Sequence, residues 1–187
     1  CGAVNVGSLC NKVVKERADI GFAFDGDGDR LIVVDDKGNE VDGDKIIALF
    51  AKYLINKTKT NSKFPVVTTV MSNLGLENFL LKDLGIKLKR SAVGDINVIE
   101  EMKKNKSFLG GEQSGHIILS DFSKTGDGIL AALKITEIIS IIKKSASSIF
   151  DLYDNLPQIK VNISYIKMSE KNKKSIKNLN KKNSKEK

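Results

Sequence analysis

Three aspartates alternating with glycines and followed directly by an arginine, Asp25-Gly26-Asp27-Gly28-Asp29-Arg30, are the residues best suited to do chemistry. Glycine adopts backbone angles that other residues resist, so this spacing lets three carboxylates converge on one point. Converging carboxylates repel one another, and a hard cation such as Mg²⁺ is the simplest remedy. It takes a few carboxylate oxygens and keeps places for a phosphate and water. Arg30 adds a planar fork that grips a phosphate through two parallel N–H donors. The spacing also invites comparison with a calcium EF-hand, in which Asp25, Asp27, Asp29 and Asp36 would fall at positions one, three, five and twelve. That comparison fails: position six is Arg30 instead of glycine, position twelve is aspartate instead of glutamate, and the flanks read as strands. The plain alternative is a solvated acidic turn with no ligand.

A second constellation, Gly110-Gly-Glu-Gln-Ser-Gly-His116, places a carboxylate, an amide, a hydroxyl and the only histidine of the chain in one glycine-rich turn. Glu112 can accept from paired hydroxyls of a sugar, Ser114 can donate or accept, Gln113 offers an amide, and the glycines permit close backbone approach. The bland reading is a capped turn whose histidine merely packs.

These loops need elements to carry them, and apolar runs alternate with segments of helical period, the pattern of βα units and a largely parallel sheet. A helix is expected over Leu9 to Glu16, a strand over Ile20 to Phe24 ending in the acidic loop, and a strand over Leu31 to Val34. A turn at Asp36 to Asn39 leads to a return over Glu40 to Asp42. Asp44 is expected to cap a helix carrying Ile46, Ile47, Leu49, Phe50 and Leu54. Strand Val66 to Val70, helix Leu74 to Leu84 and strand Ile86 to Lys89 follow, then a helix capped by Asp95 that runs through Val98, Ile99 and Met102. Strands at Phe108 to Leu109 and His116 to Leu119 flank the second loop. Helices over Asp127 to Ile142 and Ser148 to Leu156 precede Pro157, and a last strand is expected over Ile159 to Tyr165.

Composition bounds the rest. With 187 residues, 41% of them apolar, the chain can bury a core of one or two domains. No run approaches the ~20 apolar residues of a membrane span, and residues 1 to 10 lack the basic flank of a secretory signal, so no membrane partner and a cytoplasmic location are expected. Cys1 and Cys10 have no partners at metal-site or disulfide-framework spacing. The formal charge of +8 is confined to residues 160 to 187, which hold ten lysines and two glutamates. Residues 1 to 159 balance 21 basic against 21 acidic groups, so the body has no nucleic-acid footprint. Lys167 to Lys187 suits a frayed tail or, as a competing idea, an RNA-binding arm.

Taken in order, the two loops resemble the α-D-phosphohexomutase superfamily: DGDGDR looks like its metal loop and GEQSGH like its sugar-specificity loop. Gln113, Val70-Met-Ser-Asn-Leu-Gly75 and Thr125-Gly-Asp-Gly-Ile-Leu130 look like the branch that works on glucosamine phosphates, whereas phosphomannomutase/phosphoglucomutase relatives typically carry methionine or glutamate in place of Gln113. The resemblance runs from about Leu9 to Val161. It implies α/β architecture, with three-layer α/β/α domains built on mainly parallel mixed sheets. Residues 1–42 would be the C-terminal part of domain two with the metal loop, 43–156 domain three with the sugar loop, and 157–187 a truncated start of domain four plus the lysine-rich tail.

The implied activity is interconversion of glucosamine 6-phosphate and glucosamine 1-phosphate through a bisphosphate, the phosphoryl group residing first on a serine. Asp25, Asp27 and Asp29 would bind Mg²⁺ and Arg30 would hold the phosphoryl group. Glu112, Gln113 and Ser114 would bind the hexosamine phosphate, and His116 would transfer a proton or touch the substrate phosphate. The serine loop and the distal phosphate loop of the family have no counterpart in this sequence, so the chain alone is expected to be inactive; a phosphomannomutase/phosphoglucomutase and a non-catalytic sugar-phosphate binder are the rival readings. Ile96 stands where relatives usually have arginine after Gly-Asp, and Met71 stands where the phosphomannomutase branch carries lysine. A homo-oligomer is compatible with all of this.

Overall fold

The computed structural model describes residues 2–3, 5–55 and 64–159, without the side chains of Leu54 and Ile55. The lysine-rich tail, Cys1 and the strand expected beyond Ile159 lie outside the described residues. The elements run α1 (Gly7–Glu16), β1 (Ile20–Phe24), β2 (Leu31–Asp35), β3 (Glu40–Val41), α2 (Gly43–Ile55), β4 (Val66–Thr69), α3 (Leu74–Lys82), β5 (Leu88–Ser91), α4 (Asp95–Asn105), β6 (Leu109–Gly111), β7 (Ile117–Leu119), α5 (Gly128–Ile142) and α6 (Ala146–Phe150).

Two sheets result. β1, β2 and β3 form an antiparallel meander with Ile20 opposite Asp35 and Phe24 opposite Leu31. The second sheet has the order β5-β4-β6-β7, with β4 parallel to both β5 and β6, and β7 antiparallel to β6. The parallel strands expected from the βα pattern are thus confined to the second sheet. The reason is connection length: short turns between β1 and β2, and between β2 and β3, reverse the chain, whereas α3 and α4 are long enough to cross over. Asp35 closes the β2–β3 turn by accepting from Lys37 N at 2.9 Å and Asn39 N at 2.8 Å.

Burial explains the layering. β4 sends Val66 to one face, into a cluster with Ile46, Phe50, Leu80 and Ile135, and Val67 to the other, against Val98 and Met102 of α4. Helices therefore cover both faces of the second sheet, as the α/β/α expectation requires. β2 is buried at all five positions because α1 packs on one side, through Val13, and the main cluster on the other. Leu31, Val33 and Val41 share that main cluster with Ile46, Ile47 and Phe50, so one core spans residues 42 and 43. Residues Cys1–Leu156 make one compact unit. Of the second unit, Pro157–Lys187, only residues 157–159 are described, without regular secondary structure.

Two expected caps and one helix end move. Asp42, not Asp44, caps α2, its Oδ1 accepting from Lys45 N at 3.1 Å. Asp44 sits inside the first turn with no exposure, and its Oδ2 accepts from Asn73 N at 2.6 Å. The N-cap of α4 is Gly94, which has no side chain to cap with, and the expected cap Asp95 is the first residue of the helix. The last helix ends at Phe150 instead of Leu156, because Asn73 takes the backbone of Leu156 from both sides: Asn73 Nδ2 donates to Leu156 O and Leu156 N donates to Asn73 Oδ1, each at 2.9 Å.

Candidate functional site

The acidic loop is the β1–β2 turn, and one carboxylate oxygen from each of Asp25, Asp27 and Asp29 lies within 4.8 Å of the others. Only one glycine is needed for its conformation: Gly28 has φ +75°, while Gly26 stays outside the left-handed region and faces open space. Arg30 folds back over the cluster, with its N donating to Asp25 Oδ1 at 3.1 Å and its Nε 3.5 Å from Asp25 Oδ2 and 3.9 Å from Asp29 Oδ1. Burial pushes both Asp25 and Asp29 upward, but for Asp25 the Arg30 backbone N–H and the hydrogen bond shared with Asp29 outweigh it, holding that carboxyl below its ordinary value. For Asp29 burial and the same shared bond add together, and the nearby His116 offsets them only in part, so its carboxyl lies above the usual range. Asp25 is therefore the readier carboxylate of the pair. Asp29 Oδ1 is buried and has no hydrogen-bond partner. One carboxylate oxygen from each of three aspartates at this spacing, beside an unpartnered Asp29 oxygen, fits a hard divalent cation.

The second loop joins β6 to β7 and is docked onto the first. Leu31 N donates to Gly115 O at 3.0 Å, and Arg30 pairs with His116 in an antiparallel bridge. Gly115 has φ +94°, and a Cβ there would stand 2.2 Å from Leu31 O, so glycine is obligatory. The His116 side chain is 3% exposed, with Nδ1 3.1 Å from Asp29 Oδ2 and Nε2 accepting from Gly126 N at 3.2 Å. An accepting Nε2 leaves the proton on Nδ1, which donates to Asp29. Both ring nitrogens are thus engaged within the protein, and the ring supports Asp29 instead of lining an open surface. Gly126 leaves the space the ring occupies, since a Cβ there would lie 2.4 Å from His116 Cε1.

The expected sugar-binding residues divide in the same way. Glu112 Oε1 accepts from Gly94 N at 3.1 Å, so this carboxylate caps α4 from another loop. Gln113 Nε2 donates to Asp42 Oδ2 at 3.2 Å. Ser114 is exposed. Ile96, in place of the expected arginine, is 66% exposed at the start of α4.

From residue order Val70–Gly75 and Thr125–Leu130 carried only a family resemblance, and three neighbours of the loops had no role assigned at the site: the Val70–Asn73 segment, its supports Arg90 and Asp44, and the start of α5. The Val70–Asn73 segment stands at the carboxyl end of β4, beside the ends of β5 and β6, where open parallel sheets receive ligands. Arg90 holds it, donating through Nη1 to Ser72 O at 2.9 Å and through Nη2 to Glu77 Oε2 at 2.9 Å. Asp44 supports it from beneath; burial pushes that carboxyl up to about 6 although the Asn73 N–H pulls it down. The third is the start of α5, where Gly128 N donates to Gly28 O at 2.9 Å and braces the acidic loop. Polar residues ending the apolar strand Val66–Thr69 were the available signal for the first; nothing local marked the partners. A cavity of about 550 Å³ lined by Asp35, Lys45 and Asp154 among others does not include the acidic loop.

A two-sheet α/β unit whose carboxylate turn is braced by a glycine-rich turn belongs with the α/β/α domains of phosphohexomutase type. The family profile described as phosphoglucomutase/phosphomannomutase, alpha/beta/alpha domain III, matches residues 42–156, and the chain belongs to this family. It is 52% identical over 164 residues to the phosphoglucosamine mutase of Nautilia profundicola, a match covering 87% of this chain and 36% of that protein. The chain thus spans about a third of the length of the curated relatives it matches. In structure it resembles a phosphoglucomutase/phosphomannomutase family protein from Burkholderia thailandensis, with a TM-score of 0.71, 26% identity, and coverage of 80% of this chain and 32% of that one. It shares its fold with the Aspergillus fumigatus N-acetylphosphoglucosamine mutase solved with GlcNAc-6P and magnesium, with a TM-score of 0.66, 20% identity, and coverage of 84% and 38%. Among the described residues no helix is long and apolar enough to cross a membrane.

Proposed function

We propose that this chain supplies the metal loop and the sugar loop of a phosphoglucosamine mutase, which interconverts glucosamine 6-phosphate and glucosamine 1-phosphate. The carrying observation is the docking of the two loops, Leu31 N on Gly115 O and Arg30 against His116, which supports reading the carboxylate cluster and the glycine-rich turn as parts of one site. Relatives named phosphoglucosamine mutase at about half identity support the choice of sugar. In this reading residues 1–42 end domain two, 43–156 form domain three and 157–187 begin domain four.

Asp25, Asp27 and Asp29 would hold Mg²⁺, which when bound neutralises charge on the transferring phosphoryl group. Phosphoryl transfer asks the protein mainly for position and charge. Arg30, tied to Asp25 through its backbone, has its guanidinium half exposed beside the carboxylate cluster, suited to a phosphoryl oxygen. His116 fixes the Asp29 carboxylate through Nδ1. Glu112, oriented by Gly94, keeps its second oxygen for sugar hydroxyls, and Ser114 adds a hydroxyl beside it. A substrate bearing a phosphate dianion does not cross a bilayer unaided, so a cytoplasmic setting goes with this reading.

The test is a chimera. Residues 9–161 replace the matching third of the Nautilia profundicola enzyme, and turnover of glucosamine 6-phosphate is measured. Conversion by the chimera supports the reading, together with its loss by about 10²-fold or more in the Asp27→Asn variant. A well-folded chimera that binds substrate without converting it sinks the reading, as does turnover by the 187-residue chain alone.

A further inference from the structure

The Glu112–Gly115 turn rests on the first turn of α2, and the contact is too close for a side chain: a Cβ on Gly43 would lie 2.1 Å from Glu112 O. Gly43 N donates to Gln113 O at 3.0 Å, which fixes the backbone of Gln113. Asp42 fixes its side chain. One oxygen of this carboxylate, Oδ1, accepts from Lys45 N at 3.1 Å as the cap of α2, and the other, Oδ2, accepts from Gln113 Nε2 at 3.2 Å. An ionised carboxylate only accepts, so the NH₂ end of the amide must face it. Gln113 is left with Oε1 turned away.

We propose that Asp42 is a specificity-determining positioning residue: by holding Gln113 Nε2 it leaves Oε1 as the atom the amide offers a sugar phosphate, and this selects an amino sugar over its hydroxyl counterpart. The inference rests on the reading of Glu112–Gly115 as a sugar loop. An ammonium group carries three donors and no acceptor, whereas a hydroxyl carries both. Opposite Oε1 the ammonium makes a charge-assisted bond, roughly twice as strong as the neutral bond a hydroxyl makes. Opposite an NH₂ group the ammonium finds only donors, while a hydroxyl turns a lone pair to meet it.

Asp42→Asn inverts this polarity with little change of shape. Asparagine is as good an N-cap as aspartate, so its Oδ1 still serves Lys45 N. Its Nδ2 then faces Gln113, which can answer only with Oε1, and the Gln113 NH₂ group turns outward.

The experiment is an NMR titration of the isotope-labelled 187-residue chain with glucosamine 6-phosphate and with glucose 6-phosphate, Mg²⁺ present throughout. The wild-type chain is expected to favour the amino sugar by about tenfold, the equivalent of about 1.4 kcal/mol. In Asp42→Asn the affinity for glucosamine 6-phosphate falls by about tenfold, that for glucose 6-phosphate stays within about twofold, and the Gln113 side-chain amide resonances of the free protein move. Gln113→Met, which leaves the cap of α2 untouched, loses the preference as well. An unchanged preference in either variant, or an equal loss for both sugars, overturns the proposal while leaving the sugar-loop reading in place. A wild-type chain that responds to neither sugar at Glu112–Gly115 overturns that reading and the proposal with it.

Discussion

The acidic turn and the glycine-rich turn lie side by side yet are built on opposite principles. In the acidic turn, Gly26 and Gly28 have nothing within 4 Å of a built Cβ, and the geometry is set by charge: an arginine backbone, a histidine and three carboxylates. In the glycine-rich turn, Gly110, Gly111 and Gly115 each have neighbours within 3 Å of a built Cβ, and the geometry is set by packing. A turn organised by charge responds to ions and tolerates added atoms. A turn organised by packing responds to volume and ignores ions.

The largest expected effect tests the packed side. Gly115→Ala must pay for a left-handed backbone and for a clash 2.2 Å from Leu31 O, so urea denaturation should register a loss of about 3–5 kcal/mol. A loss under about 1 kcal/mol would erase the contrast. Next comes Asp44, which lies beside Gly43 under the same packed region. Its carboxyl is raised from 3.8 to about 6, so between those values the folded state holds a proton that the unfolded chain has released. Stability contributed by protonated Asp44 is full at low pH and drains as pH rises through this window. Asp44→Asn should remove that slope and stabilise the protein above pH 6 by on the order of 2 kcal/mol, measured as the wild-type minus variant difference across pH. Parallel pH curves for the two proteins would mean that the packed region accommodates the charge.

Third, calorimetric titration with Mg²⁺ should show Asp27→Asn weakening binding by about tenfold, about 1.4 kcal/mol, while Glu112→Gln stays within about twofold. Equal effects would deny the division between the turns. The smallest effect is Gly26→Ala, whose thermal stability should stay within about 0.5 kcal/mol of wild type because the position is open and its φ is ordinary.

Local features were legible from residue order. The helix Gly128–Ile142 shows because Asp127 caps it and its apolar positions recur, and the carboxylate cluster shows because i, i+2 and i+4 fall in one turn. The extent of the last helix was misread because the segment after Phe150 is claimed by Asn73, 83 residues away at Leu156. The first sheet departs from the βα rhythm that α3 and α4 obey because short connections reverse the chain, as the turn expected at Asp36 to Asn39 already implied for β2 and β3.

Residue types and their near neighbours settle which groups can meet a cation or a sugar, since a tight turn gathers its own side chains whatever lies beyond it. Their partners are another matter. His116 reaches Asp29 across 87 positions, Gln113 reaches Asp42 across 71, Asp44 reaches Asn73 across 29 and Glu112 reaches Gly94 across 18. Those pairings arise because two sheets and their helices bury one shared core, and only that burial brings distant donors and acceptors within hydrogen-bonding distance of one another.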